Sequence, residues 1–387
     1  MDVSLTASQL RIREEFEAVA ERDIRPFAAA TDEAARWPEH AFSALKKAGL
    51  MGLHVPTADG GRGEGLMSLA LAMEAIGKTC ASSAICFGMH CVGTAVIAAK
   101  ATAYQKNNYL RPIAAGEHVT TLSVSETGTG AHFYLPETKL SRHGDRLRAN
   151  GTKVFVTNAG HADSYVVSTQ ASNPDSESGS FTCLIVDRDR PGMEWLDGWS
   201  GLGMRGNTAR GLKLNDVEVP GANLLGEEGD QIWYIFEVVA PYFLIAMAGT
   251  YLGVAEAALD LTIKHLKKRR HSISGESLAD NPLIQSQLAE MWTRVERTRR
   301  WIYHAAQSGD QASANAIPLI FGAKVEAAET VVAVTNDALT LGGGIAYRDN
   351  SELARLPRDA RASHVMSPTT SLLKLWTGRA LLGRPLL

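Results

Sequence analysis

The sequence predicts an α+β protein made of a helical N-terminal domain (residues 1–119), a small β-domain (120–229) and a helical C-terminal domain (230–387). The prediction rests on the spacing of apolar residues, which is helical, then strand-like, then helical again along the chain. It rests also on two absences. There is no βαβ alternation, and no GxGxxG fingerprint follows a strand, so a doubly wound nicotinamide-binding sheet is not expected.

In the first part, Leu66, Leu69, Met73 and Ile76 recur every three or four residues and predict a helix over 65–78. The stretch from His54 to Gly63 is rich in proline and glycine and predicts a loop. In the middle, Thr121 to Ser125, Lys153 to Thr157, Ser164 to Thr169, Phe181 to Asp187 and Leu212 to Val219 are short β-rich runs. Turns are expected at Asn150-Gly151 and over 173–180. In the last part, Ile284, Leu288, Met291, Val295 and Ile302 mark a long amphipathic helix. Val238 to Ala255 contains no charged residue and has the length of a membrane span. Pro241 lies inside it and Glu237 and Glu256 border it, so we read it as the buried central helix of a bundle. Gly249 and Gly253 then allow close helix packing.

The chain is 45% apolar and 21% charged, enough to bury a large core. Its net charge is −3, and the longest basic run is Lys267 to Arg270, which gives no reason to expect nucleic acid or an anionic membrane as partner. Small molecules are the expected ligands. Cys80, Cys86, Cys91 and Cys183 form no CxxC pair, and three of them sit in an alanine-rich stretch that reads as helix core. Cys86, His90 and Cys91 are close in sequence, but without a second ligand pair they read as packing residues and not as a metal site. Reduced thiols and the lack of a signal-peptide pattern at the N-terminus point to the cytoplasm.

Two segments are suited to holding a cofactor. Leu122 to Gly130 (LSVSETGTG) is a β-run ending in a glycine-spaced turn, whose amides and hydroxyls can approach a flavin or a phosphate closely. Asn150 to Asn158 (NGTKVFVTN) places Phe155 and Thr157 on one face by the strand period of two, an aromatic and a hydroxyl suited to an isoalloxazine ring. Each segment taken singly also fits an ordinary hairpin or a half-buried strand.

Taken together, these segments resemble the acyl-CoA dehydrogenase superfamily. So do VPTADGGRG, YQKNNYLRPIAAGEH, GLGMRGNTARGLKLNDVEVPGANLLGEEGD and LGGGIAYRDNSELARLPRDAR, over almost the full length. The resemblance implies an N-terminal helical domain, a central β-barrel-like domain and a C-terminal four-helix bundle, assembled as a homotetramer or homodimer with one FAD per subunit. It implies that Val124, Ser125 and Gly130 meet the flavin, that Phe155 stacks on it and that Thr157 lies near its N5. Thr369 would join these contacts. Gly343, Gly344 and Arg270 would reach the pyrophosphate of a neighbouring subunit's FAD. Thr340 and Ala346 depart from the usual glutamine and third glycine there, and residues 274–282 carry an apparent insertion. An acyl thioester as substrate and an electron-transfer flavoprotein as acceptor follow from the same resemblance.

The position that matches the family's catalytic glutamate is Ser367, followed by Pro368 and Thr369. The alternative glutamate position on the central bundle helix maps near Phe243 and Leu244, which are apolar. A serine without an activating base cannot remove an α-proton. Superfamily members that use reduced flavin and oxygen, with FAD or FMN, need no such base. They often use a histidine, and His90 and His364 lie in regions expected to border the substrate cavity. Three readings follow: a dehydrogenase with a displaced base, a flavin monooxygenase or N-hydroxylase, and an incomplete subunit that pairs with an active homologue.

Overall fold

The computed structural model describes residues 4–173, 181–198, 200–229 and 233–387. Most of the turn expected over 173–180 lies outside them. The first helices are α1 (Ala7–Val19), α2 (Ala28–Ala34), α3 (Glu39–Lys47), α4 (Leu66–Gly77) and α5 (Ala81–Ala99), followed by the short α6 (Ala103–Gln105) and α7 (Arg111–Ala114). Every residue of α4 is buried, not only its one apolar face. The reason is its position, because helices from both ends of the chain surround it. Glu74 is tolerated there because Arg299 donates to it at 2.9 Å and the Tyr303 hydroxyl at 2.6 Å.

The middle of the chain forms two four-stranded sheets, which is the form taken by the expected barrel-like domain. One sheet has the order β1 (Thr120–Ser123), β4 (Ser164–Thr169), β5 (Thr182–Asp187), β8 (Leu224–Leu225), with β1 and β4 parallel. The other has the order β2 (Lys139–His143), β3 (Arg146–Val156), β7 (Arg210–Pro220), β6 (Met193–Trp195), all antiparallel. Side chains of β3 and β6 reach β4 across the space between the sheets, as in Lys153 with Ser168 and Trp195 with Tyr165. All of β1 is buried, because α5 covers it.

The C-terminal helices are α8 (Ala240–Lys268), α9 (Pro282–Asp310), α10 (Ala316–Ala346), α11 (Glu352–Val365) and α12 (Thr370–Leu381). Pro241 does not break its helix, because it falls at the start of α8, directly after the wider π-helical turns of Tyr234–Val239. A side chain at Gly253 would meet Glu74 O at 2.3 Å, and one at Gly249 would meet Ala70 O at 2.8 Å, so these two glycines set the approach of α8 to α4. Two stretches, Ala81–Ala99 and Tyr234–Lys268, are long and apolar enough to cross a membrane, and 94% and 89% of their apolar windows are buried inside the fold. They serve as core helices here.

Candidate active site

A cavity of about 630 Å³ opens where the end of β1 and the loop after it face α5, α8 and the turn between α11 and α12. Its walls include Val124, Ser125, Gly130, Phe155, Thr157, Ser367 and Thr369, so seven of the sequence-derived candidates converge on one space. Ile85, Met89, Phe243 and Met366 make part of it apolar.

Phe155 stands in this cavity through a register shift in β3 between Lys153 and Val156, not through simple alternation. The shift gives Phe155 a φ of 56° and leaves it 66% exposed, a strained aromatic of the kind that marks a ligand site. The strand-period expectation for Phe155 and Thr157 is corrected accordingly, because the bulge adds a residue to the ladder. Val154 N donates to Ser125 O at 2.9 Å, which ties the bulge to the end of β1. Ser123, 2% exposed, lines the cavity with a hydroxyl that has no hydrogen-bond partner. Gly130 has a φ of 52° and open space where a Cβ would be. An exposed aromatic ring, an unsatisfied hydroxyl and an open glycine turn on one cavity fit a flat polar ring system such as a flavin.

The carboxylate among the described lining residues is Glu126. It accepts from Lys153 Nζ at 2.5 Å, Thr138 N at 3.1 Å, Thr138 Oγ1 at 2.6 Å and Glu137 N at 2.5 Å. Burial alone would raise its pKa, but Lys153 and these donors outweigh burial and hold the carboxyl below the usual range. Lys153 itself is fully buried, and desolvation lowers its amine to about 8 against the pull of Glu126. Glu126 is therefore committed to holding the loop after β1 and is a poor proton acceptor. Glu126 and Lys153 lie within LSVSETGTG and NGTKVFVTN, neither of which marks them as a pair. The available signal was a lysine amid apolar neighbours in a strand.

Ser367 Oγ donates to Ala131 O at 3.4 Å and bonds no histidine, lysine or carboxylate among the described residues. Phe243 also lines the cavity, so both places where the family resemblance puts a base are uncharged. The loop facing them is pinned to α11. Asp359, itself 3% exposed, accepts from Met204 N at 2.6 Å, Arg358 donates to Leu202 O at 3.0 Å, and Arg358 pairs with Asp32. A Cβ on Gly203 would meet Arg358 O at 2.2 Å, so only glycine permits this contact.

The two histidines are not brought to the cavity wall. His90 is fully buried, accepts from Thr120 N at 3.2 Å through Nδ1 and donates through Nε2 to Met51 O at 3.1 Å. Desolvation lowers its pKa to about 4, so it stays neutral and bridges α5 to β1. His364 is half-buried on α11 and absent from the wall, with its pKa lowered first by burial and then by Arg361 and Lys324. The expectation that either histidine borders the substrate is corrected: both point into packing contacts or away from the cavity. Arg270, Gly343 and Gly344 also lie outside the cavity of their own chain. Arg270 donates to Gly275 O at 3.2 Å in the exposed loop after α8, and Gly343, with a φ of 61°, breaks α10 near its end. All four cysteines are buried free thiols.

Three models of the acyl-CoA dehydrogenase family match the chain in order: the N-terminal domain over residues 6–117, the middle domain over 121–217 and the C-terminal domain over 243–382. The cyclohex-1-ene-1-carbonyl-CoA dehydrogenase of Geobacter metallireducens is 31% identical over 98% of this chain and 99% of its own. The chain belongs to the acyl-CoA dehydrogenase family. Butyryl-CoA dehydrogenase from Megasphaera elsdenii superposes with a TM-score of 0.92 at 27% identity, covering 99% of this chain and 100% of the other. A chain in a structure concerning the electron transferring flavoprotein of Acidaminococcus fermentans does so with 0.93 at 29% identity, over 99% and 100%. As a member of this family the chain is a flavin-dependent oxidoreductase of the class that acts on CH–CH bonds.

Proposed function

We propose that the chain binds FAD in the 630 Å³ cavity and oxidises the Cα–Cβ bond of an acyl thioester. The observation that carries this reading is the convergence of Ser123, Ser125, Phe155, Thr157 and Thr369 on one cavity that Ile85, Met89, Phe243 and Met366 make apolar in part. The flavin, when bound, accepts the β-hydrogen as hydride. Phe155 would cover one face of the ring, the hydroxyls of Ser123, Ser125 and Thr157 would serve its polar edge, and Ile85, Met89, Phe243 and Met366 would receive the acyl chain.

The described residues that line the cavity supply no free carboxylate for the α-proton. Ser367 is neutral, and Glu126 is saturated by Lys153, Thr138 and Glu137 N. We therefore infer a preference for thioesters whose α-hydrogen is already acidified, with the proton passing to water, and slow turnover of plain saturated chains. FAD is favoured over FMN because Arg270, Gly343 and Gly344 are open on the surface and suited to a neighbouring subunit's diphosphate. This supports a homotetramer, and the four reduced thiols support a cytoplasmic setting. The likeness to a chain studied with an electron transferring flavoprotein makes such a protein the acceptor of choice.

Anaerobic titration of the purified flavoprotein with saturated and with α-activated acyl-CoA thioesters tests this. Bleaching of the flavin by the activated thioesters, reversed by an added acceptor, is expected. Turnover with oxygen only when reduced flavin is supplied would replace the reading with monooxygenation, and bound flavin inert to both would replace it with an incomplete subunit.

A further inference from the structure

Lys324 lies in α10, wholly buried, and its ammonium faces no carboxylate within ion-pair distance among the described residues. Its Nζ donates to Ser363 O at 2.7 Å and to Pro368 O at 3.3 Å. A buried cation held only by backbone carbonyls is expensive to keep, so its partners are informative. Ser363 O belongs to the last turn of α11, where carbonyls lack helical partners and the helix end is electronegative. Pro368 O belongs to the turn leading into α12. A single ammonium thus ties together the two ends of the segment 363–368. The residues along and just after that segment, Val365, Met366, Ser367, Pro368 and Thr369, all line the cavity. Ser363 Oγ also donates to Ala328 O on α10 at 3.4 Å, which anchors the same end a second time.

We propose that Lys324 is a positioning residue that sets the place of the 365–369 wall against the bound flavin and acyl group. It acts through the two carbonyls, because its own side chain does not line the cavity. The assignment rests on the flavin reading above.

The test compares Lys324→Met and Lys324→Gln with Met291→Ala, a core variant on α9 away from the cavity, at matched loss of Tm. The readouts are FAD affinity of the apoprotein, the absorption envelope of the bound flavin, and KM against kcat. Lys324→Met is expected to bind FAD roughly tenfold more weakly and to alter the flavin envelope, with Lys324→Gln intermediate, while Met291→Ala leaves both as in the wild type. Should Lys324→Met fail to fold, Lys324→Gln decides the matter. Wild-type affinity and envelope in the lysine variants, or equal changes in Met291→Ala, overturn the assignment and leave the flavin reading standing. A wild-type protein that binds no FAD overturns both.

Discussion

A carboxylate at position 367 would stand on the cavity wall beside Thr369, where the present hydroxyl makes one 3.4 Å contact to Ala131 O. Ser367→Glu is expected to raise the anaerobic rate of flavin bleaching by saturated acyl-CoA about a hundredfold, the usual contribution of a positioned general base. An unchanged rate would show that position 367 does not face the α-carbon. At Asp359, burial pushes the carboxyl up to about 6, against the lowering effects of Met204 N and Arg355. Because the folded pKa lies above the unfolded one, the stability this group contributes is present below the ordinary carboxylate range and is lost as pH rises through about 6. A rise of that size corresponds to about 3 kcal/mol. Asp359→Asn keeps an oxygen for Met204 N and removes the ionisation. Its Tm relative to wild type should therefore climb from about pH 4 and level off just above about pH 6, whereas a pH-independent difference would place Asp359 outside the titrating set. At this scale the sequence disclosed Val124, Ser125, Phe155, Thr157 and Thr369 because they sit in contiguous motifs. It hid Glu126–Lys153 and Lys324, whose meaning depends on partners brought near only by folding: Lys153 is 27 residues from Glu126, and Lys324 is 39 and 44 residues from its carbonyls.

The N-terminus of α4 begins at Gly65, which has no side chain to cap it. The cap comes instead from the far end of α9, where Asp310 Oδ1 accepts from Leu66 N at 2.6 Å and Oδ2 from Met67 N at 3.0 Å. Asp310→Ala is expected to lower stability by about 1–2 kcal/mol, read as a lower denaturation midpoint, without changing the spectrum of the bound flavin. A spectral change would mean that α4 communicates with the cavity. Long elements were legible in the sequence because their apolar period is sustained, as in α9 and the uncharged stretch of α8. The strands β2, β6 and β8 were not, since β8 has two residues, β6 three, and β2 is mostly exposed and polar. Their pairing is imposed by neighbours, which no local period records.

For the whole molecule, the cavity belongs to one chain, while the diphosphate candidates Arg270, Gly343 and Gly344 face outward. On the proposed reading a second copy would complete the cofactor site. Arg270→Glu should release FAD more readily on dilution while leaving the helical content unchanged, and retained FAD would remove Arg270 from the diphosphate set. The α, β, α order was legible at this scale, whereas the bulge that exposes Phe155 was not, because a register shift leaves no mark in a list of apolar positions. The central claim is that a flavin occupies the cavity between the middle sheets and the C-terminal helices. The most direct measurement is the flavin content and visible spectrum of the purified chain, before and after reconstitution with FAD, in wild type and Phe155→Ala. The account predicts about one FAD per chain in the wild type and a perturbed flavin band with weaker retention in the variant. A colourless wild-type protein that takes up no FAD, or a Phe155→Ala spectrum identical to wild type, would contradict it.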